Sequence, residues 1–177
     1  MATSTPWGTS QGSKQLAPGI VFYSTAGHGG IHLSAGLQAR FEALFPDFKP
    51  FAGGPWYEED CDCNAIVIAF PENFSDDRLT YAVDIIEADG KIADPYFPQS
   101  MRDHIRRHPS ILQRAEKQRQ AIADLWEVGG MSTGGDKWSV CFTHRASGQR
   151  VAVTMEYPNK RYYSRAELEA MGAKFAA

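Results

Sequence analysis

Hydrophobic residues near the start of the chain fall in a pattern that predicts a β-hairpin followed by a helix. The run Ile20–Thr25 is mostly apolar or β-branched, as is typical of a strand. Three glycines within Ala26–Gly30 permit positive φ and predict a tight turn, after which Ile31–Leu33 forms a short return strand. Ser34 precedes a segment with apolar residues at helical spacing, which predicts a helix ending near Leu44.

The middle of the chain has the period of amphipathic helices. The segment Trp56–Cys63 carries four carboxylates and leads into the apolar run Ala65–Phe70. Together they predict one helix of about 12 residues, because acidic side chains in a first turn complement the helix dipole. Further helices are predicted after Ser75, from Met101 and from Pro109.

Beyond residue 125 the period changes from that of helices to that of strands. Glycine pairs at 129–130 and 134–135 indicate a bend, and Ala146–Gln149 forms the turn of a hairpin. Six residues alternate along its strands and are predicted to line one buried face: Trp138, Val140, Phe142, Val151, Val153 and Met155. A last helix is predicted after Ser164.

These elements predict an α+β fold, with four to six helices packed on a small antiparallel sheet and a C-terminal β-hairpin. The length of 177 residues is compatible with one domain. Residues 1–15 are rich in Ser, Thr, Gly and Gln, which predicts a flexible N-terminal arm. Residues 16–177 are then predicted to form a single α+β domain.

Composition excludes several classes of protein. The longest apolar run, Ala65–Phe70, is far shorter than the roughly 20 residues that span a bilayer. The first 20 residues lack the apolar core of a signal peptide. An odd number of cysteines argues against a disulfide framework and predicts a cytoplasmic protein with free thiols, including no bond between Cys61 and Cys63.

Charge is distributed unevenly along the chain. Between Glu42 and Asp94 there are 13 acidic residues but only three basic ones, and a basic cluster follows between Arg102 and Arg119. We expect either an acidic surface that binds a host protein with a basic surface, or helix faces that pair with each other. The net charge of -3 argues against direct nucleic-acid binding. The predicted binding residues are Glu58, Glu59, Asp60, Asp62, Asp76, Asp77, Asp84 and Glu87.

The alternative is a catalytic site formed by His28, Glu58, Glu59 and Cys61. A histidine in a turn that faces these acidic groups would suit hydrolysis or group transfer. A helix dipole lowers the pKa of a thiol, but the four neighbouring carboxylates raise that of Cys61, so an activated thiolate is not expected. The distance between the His28 ring and the other side chains distinguishes the two hypotheses.

Three sets of residues could also bind a metal, but none has a recognised ligand pattern. One would be a zinc site made of Cys61, Cys63, His28 and His32. Its spacings match no common zinc finger. His104 and His108 lie four residues apart on a predicted helix, but arginines between them disfavour a cation. The acidic turn at 58–62 could hold Mg²⁺, yet helix capping explains its charge. No metal and no cofactor is therefore predicted.

Two blocks of sequence resemble a known family. They are Thr5–Gly8 with Ala17–Ser34, and Trp56–Cys61 with Ala69–Phe74. Together they are similar to an uncharacterised bacterial domain family encoded on plasmids, phages and integrative elements, often near antirestriction genes. The resemblance covers residues 5–75 and implies a mobile-element lifestyle but no reaction. It also implies that the His-Gly-Gly and Glu-Glu-Asp-Cys turns form one recurring feature.

The sequence thus supports two functional hypotheses. The first is a mobile-element accessory protein, a non-enzymatic inhibitor of a host nucleic-acid-handling or defence complex that acts through its acidic surface, because carboxylates can occupy a groove built for phosphates. The alternative is a small hydrolase or transferase that uses His28, Glu58, Glu59 and Cys61.

Overall fold

The computed structural model of the protein describes residues 3–133 and 137–175. The chain forms two compact units, residues 1–116 (unit 1) and 117–177 (unit 2). Sequence alone predicts one domain over 16–177, whereas the buried apolar side chains form two separate clusters, one between Ile20 and Ala115 and one between Trp126 and Leu168. The predicted α+β class is confirmed, because helices accompany antiparallel sheets.

Antiparallel strands dominate the first part of unit 1. They are β1 (Ser4–Thr5), β2 (Gly8–Thr9), β3 (Gly12–Ala17), β4 (Ile20–Ser24), β5 (Gly29–Leu33) and β6 (Trp56–Glu58). β1 pairs with β2, and the others form a sheet of order β3-β4-β5-β6. The pairing of β4 with β5 confirms the predicted hairpin. Residues 1–15 are predicted to be a flexible arm, whereas their described part contains β1, β2 and most of β3, because the backbone of β3 pairs with β4.

The helices that begin in unit 1 surround one buried helix. They are α1 (Ala35–Leu44), α2 (Cys63–Ala69), α3 (Asp76–Asp89), α4 (Gln99–Arg107) and α5 (Pro109–Ala121), with a 3-10 turn at Pro71–Asn73. Every residue of α2 is buried, since a short helix without a polar face must lie inside a core. None of the helices within the described residues combines the length and apolar character that crossing a membrane requires.

The segment from Trp56 to Ala69 is not the single helix that the sequence predicts. Its first three residues form β6, residues 59–62 form a turn, and α2 begins only at Cys63. Backbone pairing with β5 holds the first part as a strand. The carboxylates therefore lie in a turn, where Glu58 accepts hydrogen bonds from backbone N–H groups instead of capping a long helix.

Unit 2 is a curled antiparallel sheet with one helix beside it. Its elements after α5 are β7 (Trp126–Thr133), β8 (Trp138–His144), β9 (Arg150–Met155), β10 (Tyr162–Tyr163) and α6 (Arg165–Ala170), with strand order β10-β7-β8-β9. The β8–β9 pairing confirms the predicted hairpin. Val140, Phe142, Val151 and Val153 are buried as predicted, whereas Trp138 and Met155 are partly buried against the same cluster.

The first predicted glycine bend of unit 2 is part of a strand. Residues 129–130 lie within β7, and the register with β8 shifts between Val128 and Met131. A β-bulge of this kind explains the glycines, because residues without a Cβ accommodate the local kink. The second pair, residues 134–135, lies outside the described residues.

Candidate functional site

The pairing of β5 with β6 brings the two predicted turns together. Gly30 lies opposite Glu58 in the register, and the backbone N–H of Glu59 donates to the carbonyl of Gly29 at 3.1 Å. His28 directly precedes β5, and Glu58 is the last residue of β6. Antiparallel pairing therefore places the imidazole and the two glutamates at the same end of the sheet.

A threonine holds the turn that carries His28. The carbonyl oxygen of His28 accepts hydrogen bonds from the backbone N–H and from Oγ1 of Thr25, both at 2.8 Å. The predicted turn is present, but its glycines do not provide the positive φ that the sequence analysis expects of them: Gly27, Gly29 and Gly30 all lie outside that region. The hydrogen bonds of Thr25 stabilise the turn instead.

The two glycines after His28 provide space for neighbouring side chains. A Cβ on Gly29 would overlap the carboxylate of Glu59 and the ring of Phe22. A Cβ on Gly30 would overlap the indole of Trp7 and lie 2.7 Å from the backbone oxygen of Tyr57. The His-Gly-Gly sequence thus lets Glu59 and Trp7 approach the strand closely.

His28, Glu58 and Glu59 form a cluster of possible metal ligands, named the His28 cluster below. One ligand atom from each residue lies within 4.8 Å of the other two. Tetrahedral coordination with metal–ligand distances of 2.0–2.2 Å needs ligand atoms about 3.4 Å apart. Side-chain rotations that move these atoms by about an ångström would bring them to that spacing. One imidazole nitrogen and two carboxylate oxygens form a donor set suited to Zn²⁺ or Mn²⁺.

Backbone amides orient one of these ligands. Oε2 of Glu58 accepts hydrogen bonds from the N–H groups of Asp60 at 2.8 Å and Cys61 at 3.0 Å. The second oxygen of Glu58 makes no hydrogen bond with the part of the chain that the structure describes. The carboxylate is therefore held in place by one oxygen while the other is available to a ligand.

An open cavity of about 370 Å³ adjoins the His28 cluster. It is named the aromatic cavity below, and it is lined by Trp7, His28, Phe51, Glu58, Asp60, Cys61 and Tyr96. Phe51 is 84% exposed and Tyr96 is 42% exposed. The cavity thus combines exposed aromatic rings with acidic groups, and His28 and Glu58 belong to both the cavity and the cluster.

Cys61 lies in the cavity but is not activated as a nucleophile. Partial burial raises the pKa of the Cys61 thiol, and the carboxylates of Glu58, Asp62 and Asp60 raise it further. Cys61 lies two residues before the start of α2, and full carboxylate charges this close outweigh the partial charge at the end of a seven-residue helix. The structure thus brings His28, Glu58 and Cys61 to one cavity while leaving the thiol protonated at neutral pH.

We expect slow alkylation of Cys61 and none of Cys63 in the native protein at neutral pH. Cys61, Cys63 and Cys141 are all free thiols. Burial raises the pKa of the Cys63 thiol to about 11. Iodoacetamide labelling followed by peptide mass spectrometry should show a rate at Cys61 below that of free cysteine at pH 7, rising at alkaline pH. Labelling of Cys61 faster than the free amino acid would contradict this assignment.

Asp62 is a structural carboxylate, although the sequence places it among the binding residues. It is fully buried. Its Oδ2 accepts hydrogen bonds from the N–H of Phe51 at 2.9 Å and of Glu58 at 3.3 Å, and its Oδ1 accepts one from the hydroxyl of Tyr96. Asp62 therefore connects three segments around the aromatic cavity and is inaccessible to a partner.

The predicted binding residues on α3 are partly neutralised by the basic cluster. These residues are Asp76, Asp77, Asp84 and Glu87. The carboxylate of Asp76 lies 2.6 Å from the guanidinium of Arg114, and that of Glu87 lies 3.2 Å from Arg106. Oδ1 of Asp77 is buried with no hydrogen-bond partner among the described residues. Asp76 and Glu87 therefore form ion pairs with the basic cluster.

The other residues from which the sequence suggests metal sites have contacts of their own. The thiol of Cys63 donates to the carbonyl of Glu59 and accepts from Arg78, and His32 packs against Trp56. His104 and His108 stack with ring centroids 4.0 Å apart. Burial lowers the pKa of His104 to about 4, and the nearby charges of His108 and Arg107 contribute to this shift.

Three aromatic residues of the cavity are absent from the sequence-based site. Trp7 lies between β1 and β2, whereas Phe51 and Tyr96 lie in loops beside glycines and prolines. Large aromatic side chains in such loops are a usable signal, because loops have no core of their own in which to bury them.

Residues 1–125 match the family described as a domain of unknown function, DUF7007. The match includes all of unit 1, and with it both the His28 cluster and the aromatic cavity. No curated protein and no solved structure matches the chain.

Proposed function

We propose that the chain, which belongs to the DUF7007 family, is a metal-dependent hydrolase whose centre is the His28 cluster. One observation carries the proposal: ligand atoms of His28, Glu58 and Glu59 lie within 4.8 Å of one another, and two of these residues, His28 and Glu58, line an open cavity. Catalytic metal sites commonly use three protein ligands and leave a position for water or substrate. This proposal develops the alternative hypothesis of the sequence analysis.

The cluster supplies what such a centre needs. Two carboxylates balance the charge of a divalent cation, and the imidazole adds a ligand that favours transition metals over Mg²⁺. A metal held there would polarise a bound carbonyl or phosphoryl group and would lower the pKa of a bound water molecule. The chain contributes the orientation of Glu58 through backbone amides, the turn that carries His28, and the cavity that admits substrate.

A cysteine mechanism fits the same residues less well. Nucleophilic catalysis by Cys61 requires a thiolate, but burial and carboxylates raise its pKa. Those carboxylates favour a cation instead. We therefore assign no catalytic role to Cys61, and hydrolysis would depend on a metal held by the His28 cluster.

An inhibitor that binds a basic host protein is the second candidate. One observation favours it: Phe51 and Tyr96 expose aromatic surface beside the acidic Asp60. Exposed aromatic rings next to charged groups are typical of protein interfaces. Under this candidate, the chain is a mobile-element protein that inhibits a host nucleic-acid-handling or defence complex. Such inhibition would need neither a metal nor turnover.

Metal titration tests the first candidate directly. We expect the protein to bind one Zn²⁺ or Mn²⁺ in isothermal titration calorimetry, and Glu59→Gln or His28→Ala to weaken binding at least about tenfold. Asp94→Asn is the matched control, because Asp94 is an exposed acidic residue remote in sequence from the cluster. A metal-loaded protein should also hydrolyse members of a panel of nitrophenyl esters, nitrophenyl phosphates and peptide nitroanilides, and EDTA should abolish that activity.

If Glu59→Gln and His28→Ala bound the metal as tightly as the control Asp94→Asn, the assignment of the ligands would be wrong. Stoichiometric binding that depends on His28 and Glu59, with no hydrolysis of any substrate in the panel, would disprove the hydrolase. In that case the inhibitor becomes the better supported function.

A further inference from the structure

The aromatic cavity has the features of a binding site for a planar cation. Trp7, Phe51 and Tyr96 provide aromatic rings, and Asp60 provides a carboxylate that is not one of the proposed metal ligands. No lysine or arginine is among the described residues that line it. Asp76 and Glu87 of α3 pair with Arg114 and Arg106, whereas Asp60 has no lysine or arginine partner among the described residues.

The carboxylate of Asp60 takes no part in stabilising the fold. Its side chain is exposed, and its carboxylate makes no hydrogen bond or ion pair with the described part of the chain. Its backbone N–H, in contrast, donates to Glu58. Removing the charge of Asp60 therefore leaves the turn intact, so the residue can be tested without unfolding the site.

We propose that the aromatic cavity binds the side chain of an arginine in a peptide substrate. A guanidinium is planar, stacks on aromatic rings and donates hydrogen bonds to carboxylates, which matches the rings of Phe51 and Tyr96 and the carboxylate of Asp60. Lysine fits less well, because its ammonium is a strongly hydrated point charge.

The position of the cavity links this binding to the proposed reaction. His28 and Glu58 line the cavity and belong to the His28 cluster, so an arginine bound there would bring the adjoining part of its peptide to the residues that would hold the metal. The substrate role rests on the proposed function. In the reaction, the C–N bond breaks, the hydroxyl of water adds to the carbonyl carbon, and a proton passes to the departing amine.

Binding of small arginine analogues tests the cavity without requiring activity. The probes are N-acetyl-arginine amide and N-acetyl-citrulline amide, which have similar shapes but differ in charge. In ¹H–¹⁵N NMR titrations, the arginine probe should shift the indole resonance of Trp7 and bind at least about fivefold more tightly than the citrulline probe. Equal affinity of the two probes, or no shift at Trp7, would overturn the proposal.

Variants of exposed residues identify the groups responsible. Phe51→Ala and Asp60→Asn should each weaken binding of the arginine probe about fivefold or more. Ile92→Ala and Asp94→Asn are matched controls, since Ile92 is also an exposed apolar residue at 57%. Controls as damaging as the cavity variants would contradict the assignment.

Cleavage assays separate this proposal from the hydrolase itself. The metal-loaded protein should cleave an N-acyl-arginine nitroanilide at least about tenfold faster than the citrulline analogue. Metal-dependent cleavage of both at one rate would leave the hydrolase standing and refute the arginine site. Selective arginine binding without metal binding or cleavage would support the site and refute the hydrolase.

Discussion

Replacing Asp62 by alanine is expected to lower the free energy of unfolding of unit 1 by about 3–5 kcal/mol. The reason is the number of donors that this buried carboxylate satisfies. The N–H groups of Phe51 and Glu58 and the hydroxyl of Tyr96 would all lose their acceptor. Buried donors without an acceptor destabilise a fold more than the loss of an exposed contact does.

Asp62→Asn is the matched control and should leave stability within about 1 kcal/mol of the natural protein. An amide oxygen in the place of Oδ2 can accept from both backbone N–H groups, and the amide nitrogen can donate to Tyr96. Burial raises the pKa of Asp62 in the folded state, so the charged form costs stability at neutral pH. As the pH rises through the folded pKa of Asp62, the natural protein loses free energy of unfolding while the asparagine variant does not. The stability of the variant relative to the natural protein should therefore rise with pH and fall again at lower pH.

Hydrogen exchange measured by mass spectrometry reports on the two units separately, which makes it the suitable readout. Faster exchange throughout residues 3–116 in the alanine variant, with the asparagine variant unchanged, is the expected result. Exchange rates in both variants equal to those of the natural protein would show that the hydrogen bonds of Asp62 contribute little to stability. Faster exchange in both would show that its charge, rather than its acceptor capacity, is required.

Replacing Gly30 by alanine should destabilise unit 1 by about 1–3 kcal/mol and displace Trp7 from the aromatic cavity. The new Cβ would overlap the indole and lie 2.7 Å from the backbone oxygen of Tyr57. The indole can move, but the carbonyl belongs to the neighbouring strand β6. The substitution must therefore strain the pairing that positions Glu58.

Gly27→Ala provides the control, because an added Cβ there has no neighbour within 4 Å and the backbone φ is ordinary. It should be neutral or slightly stabilising. Urea unfolding and the NMR resonance of the Trp7 indole would measure stability and packing together. An unchanged indole resonance in the Gly30 variant would contradict the close approach of Trp7 to the strand.

Much of the local structure was predictable from the sequence. The hairpin at 20–33, the helix after Ser75 and the hairpin of β8 and β9 occur where their hydrophobic periods and turn residues predict them. Ser75 and Ser164 also accept the backbone hydrogen bonds expected of helix caps. These features depend on interactions between residues close in sequence, so their signal is present in short windows.

From their chemistry, the sequence predicts His28, Glu58, Glu59 and Cys61 as candidate residues. It predicts neither the geometry of the cluster and the cavity nor the aromatic residues that line the cavity. The segment that begins at Trp56 was wrongly assigned to a helix, because its acidic residues suit a helix start as well as a turn. Pairing with β5 decides between them, and that pairing joins residues far apart in the sequence.

Periodicity and capping act over a few residues, so the sequence predicts most of the elements, their order and the residue types available for chemistry, but not β6 or the N-terminal strands. The tertiary structure sets which carboxylates stay accessible. It buries Asp62 under three donors, pairs Asp76 and Glu87 with arginines, and leaves Asp60 exposed beside aromatic rings. The physical reason is that burial and ion pairing depend on distances in space, which residues distant along the chain set when strands pair and helices pack.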